Sequence, residues 1–294
     1  MTEPPHVEGI VHRWVEARGL RFHLAEAGEG DDVVLCLHGW PQHSYEWRML
    51  LPRLAAEGYR AIAMDLRGFG WSDAPAEAAG YEKENLATDV LAVLDALGIE
   101  RVRLVGHDWG GWLGYLLCLR APERFSQYLA LNILPPWVNP RMVVPEMWRF
   151  TYQVVVAAPL LGYRLHRGGI FVRKMLRGAS VVHDHLDDET VAIFADNLAE
   201  PARARACVQM YRRFQLHEQP EIIRGRYADA HLIVPTLQLH GTDDLALRPK
   251  MLAGWQRHAD DMRLELVSGC GHFIVDEAPD LVAERALEFF SSAV

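Results

Sequence analysis

Residues 101–113 read Arg-Val-Arg-Leu-Val-Gly-His-Asp-Trp-Gly-Gly-Trp-Leu, and this stretch decides the fold class. Its first part is a short apolar run typical of a buried strand, and its last part begins an apolar run typical of a helix. Between them, Gly106 and Gly110 each lie two residues from Asp108, a spacing that favours a sharp strand-to-helix turn. Glycine suits these positions because side chains would clash in such a turn. The stretch therefore predicts that Asp108 is held in a strained turn and exposed to a substrate.

The residue at the centre of this turn limits the kinds of reaction that the site could catalyse. A serine there would suggest acyl transfer, whereas a carboxylate that was acylated by an ester would become an anhydride. A carboxylate is better suited to attack a saturated carbon, which gives an alkyl ester that water can then cleave. Asp108 therefore predicts action on epoxides or alkyl halides and not on carboxylic esters.

The composition excludes several classes of function. The 294 residues are 50% hydrophobic and 23% charged, which is typical of a globular chain with a substantial core. The net charge of −9 argues against a nucleic-acid partner, because there is no dominant basic patch to neutralise phosphates. No metal-ligand spacing occurs in the sequence. We therefore expect neither a metal nor an organic cofactor.

Cysteine usage and hydropathy predict where the protein is found. The four cysteines have no paired spacing, so we expect buried free thiols in a reducing compartment. The first residues lack a basic segment followed by an apolar one, and no signal peptide is expected. The longest apolar run, residues 154–162, is interrupted by Pro159 and is much shorter than the roughly 20 residues that span a bilayer. These features predict a cytoplasmic protein without a membrane span, and none of them indicates an oligomeric state.

Strand-like and helix-like segments alternate along the chain with one interruption. The alternation over residues 1–136 indicates a mostly parallel sheet flanked by helices. Residues 137–227 show helical and irregular patterns without a clear strand, and we interpret them as an inserted helical cap. The alternation resumes over residues 228–294, where we expect a helix over 250–258. The sequence therefore predicts an α/β core in two parts, separated by a cap.

Two later segments offer partners for Asp108. His272 lies on a glycine-rich loop after a strand, and Asp243 and Asp244 follow the preceding strand. Taken singly, such residues are more often structural, but functional groups also gather at the carboxyl ends of strands in open α/β sheets. The order Asp108, Asp244, His272 is the nucleophile, acid and base order of the α/β-hydrolase fold. We therefore expect that fold, with these residues as a triad.

An oxyanion in this fold is stabilised by two backbone N–H groups. One belongs to the residue after the nucleophile, which is Trp109 here. The other comes from the loop after the third strand, where residues 38–41 read His-Gly-Trp-Pro and Trp40 is the candidate donor.

Four short motifs extend the pattern over most of the core. They are HGWP at 38–41, DLRGFGWSD at 65–73, GHDWGG at 106–111 and GCGH at 269–272. Together they resemble the epoxide hydrolase and haloalkane dehalogenase branch of the α/β-hydrolases. The resemblance implies that Asp244, three residues after Gly241, is the triad acid and that Asp243 is a loop residue. It also implies that His107 is structural and that the bond before Pro41 is cis.

The leaving group distinguishes the two branches. An epoxide oxygen leaves as an alkoxide and needs an acid at neutral pH, whereas a halide leaves as a stable anion. Tyrosine, with an ordinary pKa of about 10, stays protonated at neutral pH and can serve as this acid. Epoxide hydrolases carry one cap tyrosine in a Phe-x-Tyr-Gln stretch and another in a Tyr-Arg stretch, and Tyr152 and Tyr211 match these. Many epoxide hydrolases have a glutamate just after the His-Gly-x-Pro motif, and this chain has Gln42 there. This difference puts in doubt that a carboxylate at this position helps to place a water molecule.

One reaction is expected, with two alternatives. Asp108 attacks an apolar epoxide while Tyr152 and Tyr211 donate to its oxygen, which gives a covalent alkyl-enzyme ester. His272, oriented by Asp244, then activates a water that hydrolyses the ester and releases a vicinal diol. The nearest alternative is a haloalkane or haloacid dehalogenase that uses the same ester. A remoter alternative is a non-catalytic ligand-binding protein on this fold.

Overall fold

An eight-stranded sheet forms the centre of the computed structural model, which describes residues 3–137 and 140–292. In chain order the strands are β1 Val11–Ala17, β2 Leu20–Ala27, β3 Val33–Leu37, β4 Arg60–Met64, β5 Val102–His107, β6 Phe125–Leu131, β7 Thr236–Gly241 and β8 Met262–Val267. Their order across the sheet is β1-β2-β4-β3-β5-β6-β7-β8. Strand β2 pairs antiparallel with both β1 and β4, and every other pair is parallel. The predicted mostly parallel sheet is thereby confirmed.

The pairing of β3 with β5 determines where the site forms. All five residues of β3 are buried, as expected for a strand covered by helices on both faces. Leu37 at the end of β3 lies opposite Gly106 in the register of the parallel pair. The loop after β3 and the turn after β5 therefore leave the sheet side by side, which brings Trp40 next to Asp108.

Helices cover both faces of the sheet and fill the segment between β6 and β7. In chain order they are α1 Leu50–Ala56, α2 Lys83–Ala96, α3 Trp109–Arg120, α4 Pro140–Val143, α5 Thr151–Ala157, α6 Pro159–Gly168, α7 Ile170–Gly178, α8 Asp188–Leu198, α9 Pro201–Arg213, α10 Gln219–Ile223, α11 Ile274–Glu277 and α12 Pro279–Ser291. Helices α4 to α10 all lie between β6 and β7.

Two apolar clusters hold the sheet between its helices. On one face α1 packs against α12, and Leu51 and Phe289 belong to the cluster there. On the other face α2 packs against α3, and the cluster includes Leu86 and Leu113. Met210 of α9 belongs to this second cluster as well. The helices between β6 and β7 therefore share a core with one face of the sheet.

Local sequence signals account for where several helices begin. The Asp187 carboxylate accepts a hydrogen bond from the Thr190 N–H at 2.8 Å, and two further acids follow in the first turn of α8. Such an N-cap satisfies a backbone donor that has no partner within the helix, and the acids favour the positive end of its dipole. Pro159 begins α6 directly after α5 ends at Ala157, which explains the interruption of the apolar run there.

The expected helix over residues 250–258 is wrong. The structure has two short 3₁₀ turns instead, Pro249–Leu252 and Trp255–Arg257. Between them Ala253 is extended, and Gly254 adopts φ of 115°, which lies in the left-handed region. Glycine tolerates this conformation, so the chain turns twice here where the apolar spacing alone suggested a continuous helix.

Cys36, Cys118, Cys207 and Cys270 are all buried free thiols, as the absence of paired spacing predicted for the chain. Within residues 3–137 and 140–292, every helix is too short or too polar to cross a bilayer.

Candidate active site

Asp108 lies at the turn between β5 and α3, in a strained backbone conformation. Its φ is 48° and its ψ is −117°, a region that residues other than glycine rarely adopt. A Cβ at Gly106 would lie 2.5 Å from the Gly110 carbonyl oxygen, and a Cβ at Gly110 would collide with the carbonyl of Leu37. The two glycines are therefore required by close backbone packing, and they hold the carboxylate beyond the sheet edge.

The structure brings His272 and Asp244 together with Asp108. His272 Nε2 lies 3.5 Å from Asp108 Oδ2, and His272 Nδ1 lies 2.7 Å from Asp244 Oδ2. Nδ1 faces a carboxylate, so it carries the proton and donates to Asp244, which leaves Nε2 directed toward Asp108. The carboxyl ends of β5 and β7 and the loop after β8 supply these side chains.

Asp244 is held in place by several donors, whereas its neighbour is not. Asp244 Oδ1 accepts from the N–H groups of Ala246 at 2.8 Å and Leu247 at 2.9 Å. Asn132 donates from Nδ2 to Asp244 Oδ2 at 2.9 Å. Asp243 is exposed and accepts from the hydroxyl of Thr242. The geometry thus directs Asp244 at His272 and leaves Asp243 in solvent.

Charge and burial shift the pKa values of the pair in opposite directions. Burial opposes ionisation of Asp244, but the imidazole of His272 and the hydrogen bond from it hold the pKa of this carboxyl well below its ordinary value. Burial also disfavours the charged form of His272, but the carboxylates of Asp244 and Asp108 outweigh it and raise the pKa of His272 well above its ordinary value. The two groups therefore form a buried ion pair.

A backbone donor already contacts the Asp108 carboxylate. The Trp40 N–H donates to Asp108 Oδ1 at 2.8 Å, and the Trp40–Pro41 peptide bond is cis. A Cβ at Gly39 would collide with Asp108, so the loop can approach this closely only with glycine there. Trp109 is the first residue of α3, where N–H groups have no partner within the helix. The Trp40 N–H therefore already contacts the Asp108 carboxylate, and the Trp109 N–H, at the start of the helix that follows, is the candidate for the second donor.

The two tyrosines lie beside this carboxylate on helices α5 and α9. The ring of Tyr211 packs edge-on against Trp40 and Trp109, with both centroids 5.5 Å away, and lies 6.5 Å from the ring of Tyr152. Burial, reinforced by the charge of Asp108, raises the pKa of Tyr152 above its ordinary value, and burial raises the pKa of Tyr211 still further. Both hydroxyls therefore remain protonated throughout the neutral range.

A cavity of about 160 Å³ opens over Asp108. Asp108, Tyr152 and His272 lie in its wall. The rest of the wall is mostly apolar and includes Trp112, Ile133, Leu134, Met147, Phe150, Phe214, Ile222 and Leu247.

Sequence reasoning missed Asn132, which supports the acid. Besides contacting Asp244, its Nδ2 donates to the Gly271 carbonyl at 2.9 Å, and its Oδ1 accepts from the Gly241 N–H at 3.1 Å. Its φ is 41°, a conformation that asparagine tolerates better than most residues. The side chain therefore ties the loops after β6, β7 and β8 together. Its position one residue after β6 was the signal that could have identified it.

His166 is a second residue that the sequence did not reveal. The Trp40 indole N–H donates to His166 Nε2 at 3.0 Å, and His166 Nδ1 donates to the Gly162 carbonyl at 2.7 Å. Burial lowers the pKa of His166 to about 4, which keeps it neutral and able to accept this bond. A helix between β6 and β7 thus holds the loop that carries a candidate oxyanion donor.

Lys83 is the third missed residue. It is fully buried at the start of α2, and its Nζ lies 4.2 Å from the ring centroid of Trp109. Glu218 accepts from the Lys83 N–H at 2.7 Å and lies 3.4 Å from its Nζ. The pair therefore joins the core to the segment between β6 and β7 directly behind the tryptophan that follows Asp108.

Among the residues that the structure describes, no group of three or more His, Cys, Asp or Glu side chains is arranged to hold a metal ion.

Comparison with known proteins gives the class of the protein. Residues 32–279 match the family model of the alpha/beta hydrolase fold, and the chain belongs to that family. It is 29% identical to a soluble epoxide hydrolase of Corynebacterium sp. (strain C12), over 96% of this chain and 98% of that one. It is 28% identical to human epoxide hydrolase 4, over 91% of this chain and 75% of that one.

A solved structure supports the same relationship. The chain matches the crystal structure of an epoxide hydrolase from Vigna radiata with a TM-score of 0.81 and 27% identity, over 98% of this chain and 99% of that one. The resemblance expected from the four motifs is thereby confirmed, and so is the fold class.

Proposed function

We propose that this protein hydrolyses an apolar epoxide to a vicinal diol through a covalent ester on Asp108. One observation carries the proposal: an aspartate occupies the strained nucleophile turn, in a cavity whose wall also contains a protonated tyrosine. The first feature suits attack at a saturated carbon, and the second suits a leaving group that must be protonated. The similarity to epoxide hydrolases from a bacterium and a plant supports the same reaction.

The first step opens the ring. A carboxylate oxygen of Asp108 attacks an epoxide carbon, and the carbon–oxygen bond of the ring breaks as the new ester bond forms. Tyr152 gives its proton to the departing oxygen, and Tyr211 donates a hydrogen bond beside it. The tyrosinate is then reprotonated from solvent. Because burial keeps both hydroxyls protonated, the acid form is present at neutral pH.

The second step hydrolyses the ester. His272 Nε2 takes a proton from a water molecule whose oxygen attacks the ester carbonyl carbon, and the oxyanion is held by the N–H groups of Trp40 and Trp109. The intermediate collapses, the bond to the diol oxygen breaks, and that oxygen takes the proton from His272. Esterification removes the negative charge of Asp108 and so lowers the pKa of His272, and the imidazolium releases its Nε2 proton to solvent before it acts as the base. When the ester has been hydrolysed, Asp108 ionises again and His272 takes up a proton, which restores the starting state.

We further propose that the chain is divided as its sequence indicated, with core segments 1–136 and 228–294 and a cap over 137–227. The contacts of Tyr152 and Tyr211 with Trp40 support this division, because the cap then supplies the acids and the core supplies the nucleophile. The buried free thiols are consistent with the cytoplasmic location that we propose.

The position of an indole weighs against the dehalogenase alternative. A halide needs N–H donors directed into the cavity, and the two tryptophans beside Asp108 are the candidates. The Trp40 indole instead donates to His166, which leaves only the Trp109 indole for such a role. Halide release from bromoalkanes, without diol from any epoxide, would favour the alternative.

Single turnover in heavy-oxygen water tests the ester. With enzyme in excess over epoxide, label should enter the carboxyl group of Asp108, and the first diol should be unlabelled. Label appearing directly in that diol would exclude the ester intermediate. Asp244→Asn should slow release of the diol, whereas Asp243→Asn is the matched control, because that carboxylate faces solvent.

A further inference from the structure

The junction of α5 and α6 exposes an unusual amount of apolar surface. Val154 and Val155 at the end of α5 are 63% and 36% exposed, and Leu160 and Leu161 at the start of α6 are 74% and 51% exposed. These four residues, called the apolar elbow here, lie within residues 154–162, the longest apolar run in the sequence. Side chains of this kind exposed together mark an interaction site more often than isolated ones do.

Positive charge accompanies the apolar elbow. Residues 140–178 contain seven Lys and Arg and a single Glu, although the whole chain has a net charge of −9. Three of these cations pair with carboxylates, two of them on α8, so the relevant cations on this surface are Arg164, Arg167 and Lys174. Arg167 is exposed, although it also donates to the Ala199 carbonyl. Arg164 lies four residues after Leu160 and Arg167 lies seven after it, so both cations are on the same side of α6 as that leucine. Lys174 is exposed on the next helix, four residues after Ile170, which is 66% exposed. Apolar and cationic side chains therefore share this surface.

We propose that this surface docks the protein on an anionic lipid bilayer. The aliphatic side chains of the apolar elbow would enter the boundary between headgroups and acyl chains, while Arg164, Arg167 and Lys174 would contact lipid phosphates. Interfacial binding of this kind depends on buried apolar area together with attraction between basic residues and anionic lipids. The helices are too short to span, so the protein would lie on the membrane surface.

Charge and area favour a bilayer over a second copy of the chain. A two-fold dimer through this surface would bring the same cations against each other. The apolar elbow exposes on the order of a few hundred Å², which is less than the roughly 800 Å² that each partner buries in a stable interface. An anionic membrane provides phosphates for the cations and an apolar boundary for the aliphatic side chains.

Vesicle flotation with the full chain tests the proposal. The wild type should float with vesicles of 70% phosphatidylcholine and 30% phosphatidylglycerol, and it should not float with pure phosphatidylcholine. Raising the salt concentration should release it, because surface attraction to anionic lipid is screened. Arg164→Gln with Lys174→Gln should lower partitioning about tenfold or more, since each basic residue contributes roughly fivefold. Leu160→Ser with Leu161→Ser should lower it about tenfold.

Matched controls lie on distant parts of the fold. Val11→Ser replaces an apolar residue that is 66% exposed on β1, and Arg101→Gln replaces an exposed arginine before β5, and neither should change flotation. Unchanged thermal melting would show that the elbow variants fold. The proposal is overturned if the wild type does not bind anionic vesicles. It is also overturned if the elbow variants bind as the wild type does, or if they only convert a dimer into a monomer.

Discussion

At the scale of single residues, the charge of Asp108 acts on His272 as well as on a substrate. The imidazole lies between two carboxylates, and both raise its pKa against the opposing effect of burial. The free enzyme therefore holds His272 as an imidazolium, which cannot take a proton from water. In the proposed mechanism, one of the two charges is removed only when Asp108 becomes a neutral ester. The proposed order of the two steps is therefore consistent with the electrostatics of these three side chains.

Asp108→Asn should lower the pKa of His272, because the amide imitates the uncharged ester. The change is measured by following the ring signals of His272 in a nuclear magnetic resonance titration, with Asp243→Asn as the control. The raised folded-state pKa stabilises the fold in full below the ordinary value of 6.5, and this stabilisation is lost as pH rises through the raised pKa. In Asp108→Asn the loss should therefore occur at lower pH. An unchanged titration would contradict the proposed coupling.

His166→Phe should destabilise the protein by about 1–3 kcal/mol, because the buried Trp40 indole N–H loses its acceptor. Urea unfolding measures the change. His166→Gln retains an acceptor and should restore part of the stability. Because both variants lack the imidazole, the difference between them should not change with pH. The advantage of the wild type over both should instead shrink as pH falls below the ordinary value of 6.5, because the unfolded chain then binds a proton that the buried His166, with its pKa of about 4, does not. A wild-type advantage that is equal at pH 8 and pH 5 would argue against a buried neutral His166.

At the scale of elements, two ion pairs join the start of α2 to the segment between β6 and β7, and the two pairs differ in how deeply they are buried. Lys83 is fully buried against Glu218, whose side chain is 10% exposed. Glu82 contacts Arg213 nearby, with both side chains more than a fifth exposed. Removing one partner of a buried pair leaves an uncompensated charge, whereas a solvated pair contributes little.

Glu218→Ala should therefore cost about 3–5 kcal/mol in the free energy of unfolding. Glu82→Ala, the matched control at the adjacent position, should cost about 1 kcal/mol or less. Denaturant titration of both variants measures the difference. Equal losses would show that burial does not distinguish the two pairs.

At the scale of the whole molecule, the site exists only where two parts of the chain meet. The Asp108 carboxylate and the proposed base and oxyanion donors lie at the carboxyl edge of the sheet, and the proposed acids come from α5 and α9. The aromatic contacts of Trp40 with Tyr152 and Tyr211 connect the two sets. Substituting the residues of either set should therefore abolish ring opening, although the side chains of the other set stay in place.

Tyr152→Phe should lower the turnover of an epoxide by roughly 100-fold or more, because a positioned acid contributes about that factor. The double variant with Tyr211→Phe should show no ring opening. Tyr163→Phe on α6 is the control, since this tyrosine is outside the described wall of the cavity and, unlike Tyr152 and Tyr211, has no described ring contact with Trp40. Turnover by the double variant at the rate of the wild type would remove both tyrosines from the mechanism.

Much of the fold was predictable because its signals are local. Glycine spacing identified the turn at Asp108, and alternating strand and helix patterns identified the parallel sheet. The segment over 250–258 failed because apolar spacing does not show a left-handed residue such as Gly254. The contacts of Asn132, His166 and Lys83 were not predictable either, because their partners are far away in the chain.

The sequence by itself determined the chemical types of the candidate site: a carboxylate on a glycine-flanked turn, a histidine on a loop and two tyrosines. These depend on residue identity and on neighbours a few positions away. Only the tertiary structure decided which aspartate faces His272, what holds Trp40 and which side chains form the cavity wall. The physical reason is that a hydrogen bond or a cavity depends on distances of a few ångströms, and the packing of distant segments determines those distances.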